Sequence, residues 1–127
     1  MTRRLRPVFL TLDEVLAIHS DLIERYRGAP GVRDLGLLES ALATPRASFD
    51  RSFLHGSLFE MAAAYLFHLV GNHPFLDGNK RAGLATAIAF LGLNGLWLDA
   101  DPQELAGFVL RVAQGQATKA EVSEFIR

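Results

Sequence analysis

The sequence predicts an all-α protein, built as a compact six-helix bundle. Helix-capping signals recur along the chain, and apolar residues between them recur at helical spacing. Two long runs, 58–70 and 82–93, are apolar on nearly every face, as expected for helices at the centre of a bundle. With 127 residues, 50% of them hydrophobic, the chain is long enough for a single domain over residues 1–127 with its own core.

Two predicted helices occupy the first part of the chain. Thr11 and Glu14 form a capping box, and the apolar residues that follow it at helical spacing continue to Tyr26. Asp34 is placed to cap a short second helix over residues 35–43.

An irregular segment and the two apolar helices follow. Residues 46–55 have no clear period, so we expect an exposed flap or loop there. Ser57 can cap the third helix, 58–70, and the fourth is expected over about 79–93. Gly83 and the alanines near it would let these two helices approach closely.

The C-terminal part contains the last two predicted helices. Residues 96–98, Leu-Trp-Leu, are either a short strand or an extended link. Asp101, followed by Pro at the first helical position, begins a helix that runs to about Gln114. Thr118 opens a final capped helix.

Composition narrows the function classes. The formal net charge is −1, from 13 basic and 14 acidic residues, which argues against a general nucleic-acid or membrane-surface binder. The chain has no cysteine, so disulfides, thiolate catalysis and zinc–cysteine sites are excluded. No segment reaches the roughly 18 apolar residues needed to span a membrane. We therefore expect a cytoplasmic protein with no membrane partner and no direct nucleic-acid partner.

The strongest functional signal is the stretch 73–81, HPFLDGNKR, between the two apolar helices. The N-terminus of a helix presents unpaired N–H groups and partial positive charge, and therefore favours anions. Gly78 allows a ligand close to the backbone, and Lys80 and Arg81 add positive charge. These residues together predict a phosphate site, with His73 beside it as a candidate base.

Each of these residues also has a purely structural explanation. His73 can be an ordinary loop histidine, and Asp77 an ordinary turn carboxylate rather than a magnesium ligand. Lys80 and Arg81 can be solvated surface charges. Cations in a first helical turn are electrostatically unfavourable, however, unless an anion binds there, and such conflicts are typical of functional sites. Phe75 is expected to anchor the loop in the core.

The stretch 73–81 resembles the signature of the Fic/Doc superfamily, H-x-F-x-[DEN]-[AG]-N-[GK]-R, and matches it at every defined position. The resemblance extends to residues 10–12, His19, 26–31 and 37–42, which are similar to the N-terminal half of the death-on-curing (Doc) branch. It therefore covers nearly the whole chain. Apart from the resemblance, His19 is expected to have a structural role.

Two residues place the chain with Doc rather than Fic. Fic enzymes carry Gly where this chain has Lys80, and usually a second Arg where it has Leu84. Those Fic features bind ATP for transfer of AMP to a target hydroxyl. The resemblance to Doc implies instead transfer of the γ-phosphate of ATP. It also implies a toxin of a type II toxin–antitoxin pair that phosphorylates a translation elongation factor.

The resemblance also implies roles for individual residues. His73 would be the catalytic base, and Asp77 would bind Mg²⁺ or orient the transferred group. The backbone at Gly78 and Asn79, together with the Asn79 side chain, would line the anion site. Lys80 and Arg81 would hold the phosphates.

Three functions remain open from the sequence: a protein phosphotransferase using ATP and Mg²⁺, a Fic-type AMP transferase, or a non-catalytic phosphate-binding module. The expected partner is a small, Phd-like antitoxin whose helix inserts into an apolar groove. Residues for which the sequence gives no complete burial scheme are candidates for that groove: Leu10, Val15, Phe49, Phe53 and Leu54. For Leu10 and Val15, burial in the core is the alternative.

Overall fold

The computed structural model describes residues 6–127, and the predicted N-terminal residues 1–5 of the domain lie outside the described range. The described residues form six α-helices, which confirms the predicted all-α class. The helices are α1 Leu12–Tyr26, α2 Leu35–Ala43, α3 Leu58–Asn72, α4 Asn79–Leu93, α5 Pro102–Ala113 and α6 Lys119–Ile126. A single 3₁₀ turn, Thr44–Arg46, follows α2. The bounds agree with the sequence prediction to within two residues.

Side-chain caps explain why five of these helices begin where they do. In each, the residue before the helix accepts a hydrogen bond from the backbone N–H three residues later, as the sequence pattern predicts. These caps are Thr11, Asp34, Ser57, Asp101 and Thr118. The helix α4 begins differently, and that difference belongs to the candidate site.

The centre of the fold is α3, which packs against α2, α4, α5 and α6. Its closest packing is with α4, where a Cβ on Gly83 would lie 2.8 Å from Val70 Cγ2 and 3.3 Å from the Leu66 carbonyl oxygen. Glycine is therefore required for this approach. On the side of α4 away from α3, Ile88 and Leu93 are exposed. The composition of α4 had indicated burial on nearly all faces. The structure instead buries α4 on one face.

The segment 46–55 contains structure that the sequence did not predict. Strands β1, Ser48–Phe49, and β2, Ser52–Phe53, form an antiparallel hairpin. Asp50 and Arg51 at its turn both have positive φ, as in the turns that match the twist of a hairpin. Strands of two residues are too short to show an alternating pattern, and the turn lacks the usual glycine. Most residues of the hairpin are exposed, as expected of a flap. Residues 96–98, which follow α4, form an extended link.

The N-terminal segment packs into the core. Leu10 and Val15 are buried, so they are core residues and not part of a partner groove. Phe9 packs against Phe53 of the flap and Phe90 of α4, with ring centroids 5.7 and 5.8 Å apart. None of the helices within residues 6–127 is long and apolar enough to cross a membrane.

A histidine–lysine contact joins α3 to α6. The Lys119 ammonium donates to His68 Nε2 at 3.1 Å. Burial, followed by the charge of Lys119 and the nearby His55, lowers the pKa of His68 to about 4. The imidazole is therefore neutral at physiological pH, and its free lone pair accepts the hydrogen bond.

Gly83→Ala should destabilise the protein by about 1–2 kcal/mol, because overpacking at the α3–α4 contact outweighs the roughly 1 kcal/mol gained in helix propensity. Gly92→Ala is the matched control in the same helix. A Cβ on Gly92 meets no atom within 4 Å, so this change should stabilise the protein by about 0.5 kcal/mol. Urea unfolding measures both values. Effects of the same sign would contradict the assigned role of Gly83.

The free energy of unfolding should fall as the pH decreases from 6.5 to about 4, the ordinary and folded-state pKa values of His68. Over this range the unfolded chain binds a proton at His68 and the folded chain does not. The expected contribution is about 1–2 kcal/mol, since solvent partly screens the half-buried ring. In His68→Gln, urea unfolding at several pH values should show a shallower dependence, with His55 unchanged in both proteins. Equal slopes would contradict the assignment.

Candidate functional site

The predicted site residues surround one open cleft of about 600 Å³. One wall is the loop and the first turn of α4, and the other is an apolar surface. The loop side consists of His73, Leu76, Asp77, Gly78, Asn79, Lys80 and Arg81, and the apolar side of Leu84, Ala106, Val109 and Leu110. The structure therefore brings His73, Asp77, Lys80 and Arg81 together at one cleft, whereas Phe75 lies behind it in the core.

The N-terminus of α4 is built to leave its backbone donors free. Gly78, its N-cap, has φ +78 and no side chain to accept the first-turn N–H groups. A Cβ at this position would lie 3.2 Å from Ile23 Cδ1, so glycine satisfies both the conformation and the space. Among the helices of the described range, α4 alone lacks a side-chain cap. An anion at this position would supply the missing acceptor.

The carboxylate of Asp77 is fixed by two backbone donors. Ala29 N–H donates to Oδ2 at 3.0 Å and Gly78 N–H to Oδ1 at 2.8 Å. These two bonds hold the pKa of Asp77 below its usual range, and the bond from Ala29 has the larger effect. The group is therefore ionised at neutral pH, and each oxygen keeps a second lone pair for a metal ion or a ligand donor.

Asn79 and Phe75 hold the loop from the core side. Phe75 is fully buried, as predicted for the loop anchor. The Asn79 side chain is 3% exposed, with Oδ1 accepting from Phe75 N–H and Nδ2 donating to the Phe75 carbonyl. This corrects the expectation that the Asn79 side chain lines the anion site, because both ends of its amide are already occupied. Asn79 contributes its backbone to the cleft.

His19 supports the same loop. Its ring stacks on Phe75 with centroids 3.7 Å apart, and its Nε2–H donates to the Asp77 carbonyl oxygen at 2.8 Å. The structural role expected for His19 is confirmed, but its position directly beneath the site was not predicted. Its partners are more than 50 residues away in sequence, and no local pattern identifies them.

The charged groups at the mouth of the cleft are exposed. The Arg81 guanidinium lies over the Tyr26 ring, 4.1 Å from its centroid, which is a cation–π contact. Lys80 and Arg81 take part in neither of the two ion pairs found among the described side chains. His73, the C-cap of α3, is exposed and has φ 52, a left-handed conformation uncommon for a residue with a side chain.

The backbone of residues 28–34 pairs with the loop along its length. Val32 and Phe75 form an antiparallel bridge, Leu76 N–H donates to the Gly31 carbonyl, and Arg33 and Asp34 N–H both donate to the Pro74 carbonyl. A Cβ on Gly28 would lie 2.7 Å from Asp77 Oδ2. The sequence analysis noted residues 26–31 as part of the family resemblance and did not predict their contact with the loop. The two glycines were the available signal for a close backbone contact.

A magnesium site at Asp77 would depend on the ligand. In the part of the chain that the structure describes, no cluster of three or more metal-binding side chains is present. Mg²⁺ commonly binds through one or two carboxylates together with substrate phosphates and water. The single fixed carboxylate beside an open anion site fits that kind of binding and does not form a metal cage of its own.

Comparison with known proteins identifies the family. The model described as the Fic/DOC family matches residues 9–91, which include α1 to α3, the signature loop and most of α4. The chain belongs to the Fic/DOC family. The matched range contains the whole loop side of the cleft, and the apolar residues of α5 lie beyond it.

Two curated relatives carry the Doc name, which confirms the predicted resemblance to the death-on-curing branch. "Protein kinase doc" of Escherichia phage P1 is 34% identical over 115 residues, covering 91% of this chain and 90% of the relative. "Toxin Doc" of Mycolicibacterium smegmatis is 43% identical over 76 residues, covering 60% of this chain and 58% of the relative. The first of these alignments spans nearly the full length of both proteins.

Gly28→Ala should displace the Asp77 carboxylate and weaken its bond from Ala29 N–H. The pKa of Asp77 should then rise towards its ordinary value, since that bond is the main cause of its depression. Carboxyl-carbon NMR titration measures this shift. In the control Gly36→Ala, the added Cβ is 3.4 Å from the nearest atom, an ordinary contact, and the pKa should not change. An unchanged Asp77 pKa in both variants would contradict the role of Gly28.

Proposed function

We propose that this protein transfers the γ-phosphate of ATP to a hydroxyl group of a protein. The observation that carries the proposal is the uncapped N-terminus of α4, which lies in the same cleft as the exposed His73. Phosphoryl transfer depends mainly on positioning and on neutralising charge, with one group to accept a proton. The cleft offers free backbone donors, two cations, a carboxylate and an imidazole.

The phosphates would bind along the first turn of α4. The backbone N–H groups of residues 79–81 would donate to phosphate oxygens, and Lys80 and Arg81 would neutralise their charge. Asp77 would hold Mg²⁺, which would supply charge neutralisation for the phosphates during transfer. The unfavourable placement of cations at the positive end of a helix is removed once phosphates bind.

His73 would act as the base. It lies at the C-terminal end of α3, at the other end of the loop from the phosphate-binding residues, and it is exposed and therefore accessible to a protein substrate. The ring would accept the proton of the attacking hydroxyl while the oxygen bonds to the γ-phosphorus. ADP leaves as the bond between that phosphorus and the β,γ-bridging oxygen breaks.

Lys80 and Leu84 favour γ-transfer over AMP transfer. A glycine at position 80 would leave a concave set of N–H groups for an inner phosphate, whereas a lysine supplies a point charge instead. Position 84, where AMP-transferring relatives usually carry an arginine, is a leucine in the apolar wall of the cleft. That wall, with Val109 and Leu110, would contact the less polar part of the nucleotide.

We further infer that the protein is the toxin of a toxin–antitoxin pair. The support is the near full-length match to the phage P1 Doc protein and the partial match to the mycobacterial toxin. The antitoxin would be a small, Phd-like protein whose helix binds an apolar surface. Phe49 and Leu54 of the flap are exposed and could contribute to that surface. The target would be a translation elongation factor.

Incubation with cell extract and ATP labelled at either the α- or the γ-phosphate tests the proposed chemistry. We expect label in a protein from γ-labelled ATP only, and a reduction of about 10²–10⁴-fold in His73→Ala, with ATP affinity retained. Label from the α-phosphate would instead identify an AMP transferase. No label from either donor would favour a phosphate-binding module without catalysis.

Expression in bacteria tests the toxin assignment with the same variant. The wild-type protein should arrest growth, His73→Ala should not, and co-expression of the neighbouring small open reading frame should relieve the arrest. His55→Ala is a suitable control, because His55 lies at the flap and not at the cleft. Growth arrest that persists in His73→Ala would separate toxicity from phosphate transfer.

A further inference from the structure

One side chain outside the signature loop holds the residue assigned as the base. Arg33 lies just before α2, yet its Nε–H donates to the His73 carbonyl oxygen at 2.7 Å and its Nη2 donates to the Asn72 carbonyl oxygen at 3.0 Å. The Arg33 backbone N–H also donates to the Pro74 carbonyl at 2.7 Å. A single residue thus binds three consecutive carbonyl groups, those of residues 72–74.

These carbonyls lie where the chain needs an external donor. The Asn72 carbonyl belongs to the last turn of α3, whose terminal carbonyl groups have no partners within the helix, and the other two follow it directly. That last turn contains no basic residue, so Arg33 supplies the cation that the negative end of the helix dipole favours. The fork of the guanidinium allows one side chain to bind two neighbouring carbonyl oxygens, which an ammonium group does less well.

The same contacts hold His73 in an unfavourable conformation. His73 has φ 52 and ψ 53, in the left-handed region that residues with a Cβ seldom occupy. This conformation ends α3, turns the chain into the signature loop and places the His73 side chain at the cleft. The 2.7 Å hydrogen bond from Arg33 Nε–H to the His73 carbonyl oxygen fixes the orientation of the peptide plane between residues 73 and 74.

We propose that Arg33 is a positioning residue for phosphate transfer, acting by holding His73 in its left-handed, cleft-facing conformation. The inference rests on the proposed function, because it concerns the residue assigned there as the base. Arg33 is absent from the cleft lining and acts on His73 through the backbone. Its loss should therefore affect the transfer step more than nucleotide binding, since its contacts with this part of the chain are to residues 72–74 rather than to the phosphate-binding residues 78–81.

Arg33→Met removes the guanidinium and keeps an unbranched apolar side chain and the backbone N–H. We expect kcat for γ-phosphate transfer to fall about 10–100-fold, as for small misplacements of a catalytic group, with KM for ATP changed less than threefold. Arg33→Lys should recover only part of the loss. Arg25→Met is the matched control, because Arg25 pairs with Asp21 on the surface of α1, and its kcat should be unchanged.

A loss of stability alone is distinguished by a second control. Val122→Ala destabilises the buried side of α6 without touching the loop, and after correction for the folded fraction its kcat should equal that of the wild type. A corrected kcat in Arg33→Met equal to that of the wild type would overturn the inference. So would an equal fall in kcat and in ATP affinity, since this would show general disruption of the site.

NMR provides a readout that does not depend on activity. In the wild type, the Arg33 Nε–H signal should be protected from solvent exchange. The His73 backbone and ring resonances should shift in Arg33→Met but not in Arg25→Met. If the wild type transfers no phosphate, the proposed function fails, and these shifts alone decide whether Arg33 positions His73. Unmoved His73 resonances would overturn the inference whatever the kinetics show.

Discussion

The candidate site depends on one interaction, the antiparallel pairing of the segment 28–34 with the loop 73–77. Backbone bonds from Arg33, Asp34 and Leu76, with the Val32–Phe75 bridge, fix the path of the loop. The Asp77 carboxylate extends the same pairing by accepting from Ala29 N–H. Without this segment, the loop between α3 and α4 would lose its backbone partners and keep only its contacts with the core. The link between α1 and α2 therefore shapes the cleft, although most of it lies outside the cleft wall.

The loop is held from a second direction by the core. Phe75 inserts beneath it, the His19 ring stacks on Phe75, and the Asn79 amide closes a pair of hydrogen bonds with the Phe75 backbone. Despite this support from the core and from the segment 28–34, the start of α4 has no side-chain cap among residues 6–127. A site that is fixed in this way loses little conformational freedom when a ligand binds, which favours both affinity and catalysis.

Local signals allowed much of this fold to be predicted from the sequence. The caps at Thr11, Asp34, Ser57, Asp101 and Thr118 act within three residues, so the pattern and the structure agree almost to the residue. The same holds for the loop, whose candidate site residues are nearly consecutive. What could not be predicted involves distant partners. Arg33 and His73 are 40 residues apart and His19 and Asp77 are 58 apart, and no local pattern encodes either pair.

The Asn79 side chain shows a different limit of sequence reasoning. An amide beside a glycine and two cations fits a ligand contact as well as a structural one, and only its burial against Phe75 decides between them. The two roles are linked nevertheless. Because the amide satisfies the Phe75 backbone, the loop can turn sharply into α4 while the N–H groups of the first turn stay free.

Electrostatics explain why this helix N-terminus differs from the others. The first turns of α1, α3, α5 and α6 carry acidic residues, which complement the positive end of the helix dipole, whereas α4 begins with Lys80 and Arg81 and no acid. The resulting repulsion is offset by packing, since α4 is anchored on α3 through Gly83 and Phe90, and by the Tyr26 ring under Arg81. The core therefore stabilises a helix start that would be unfavourable alone, and the positive potential remains available for an anion.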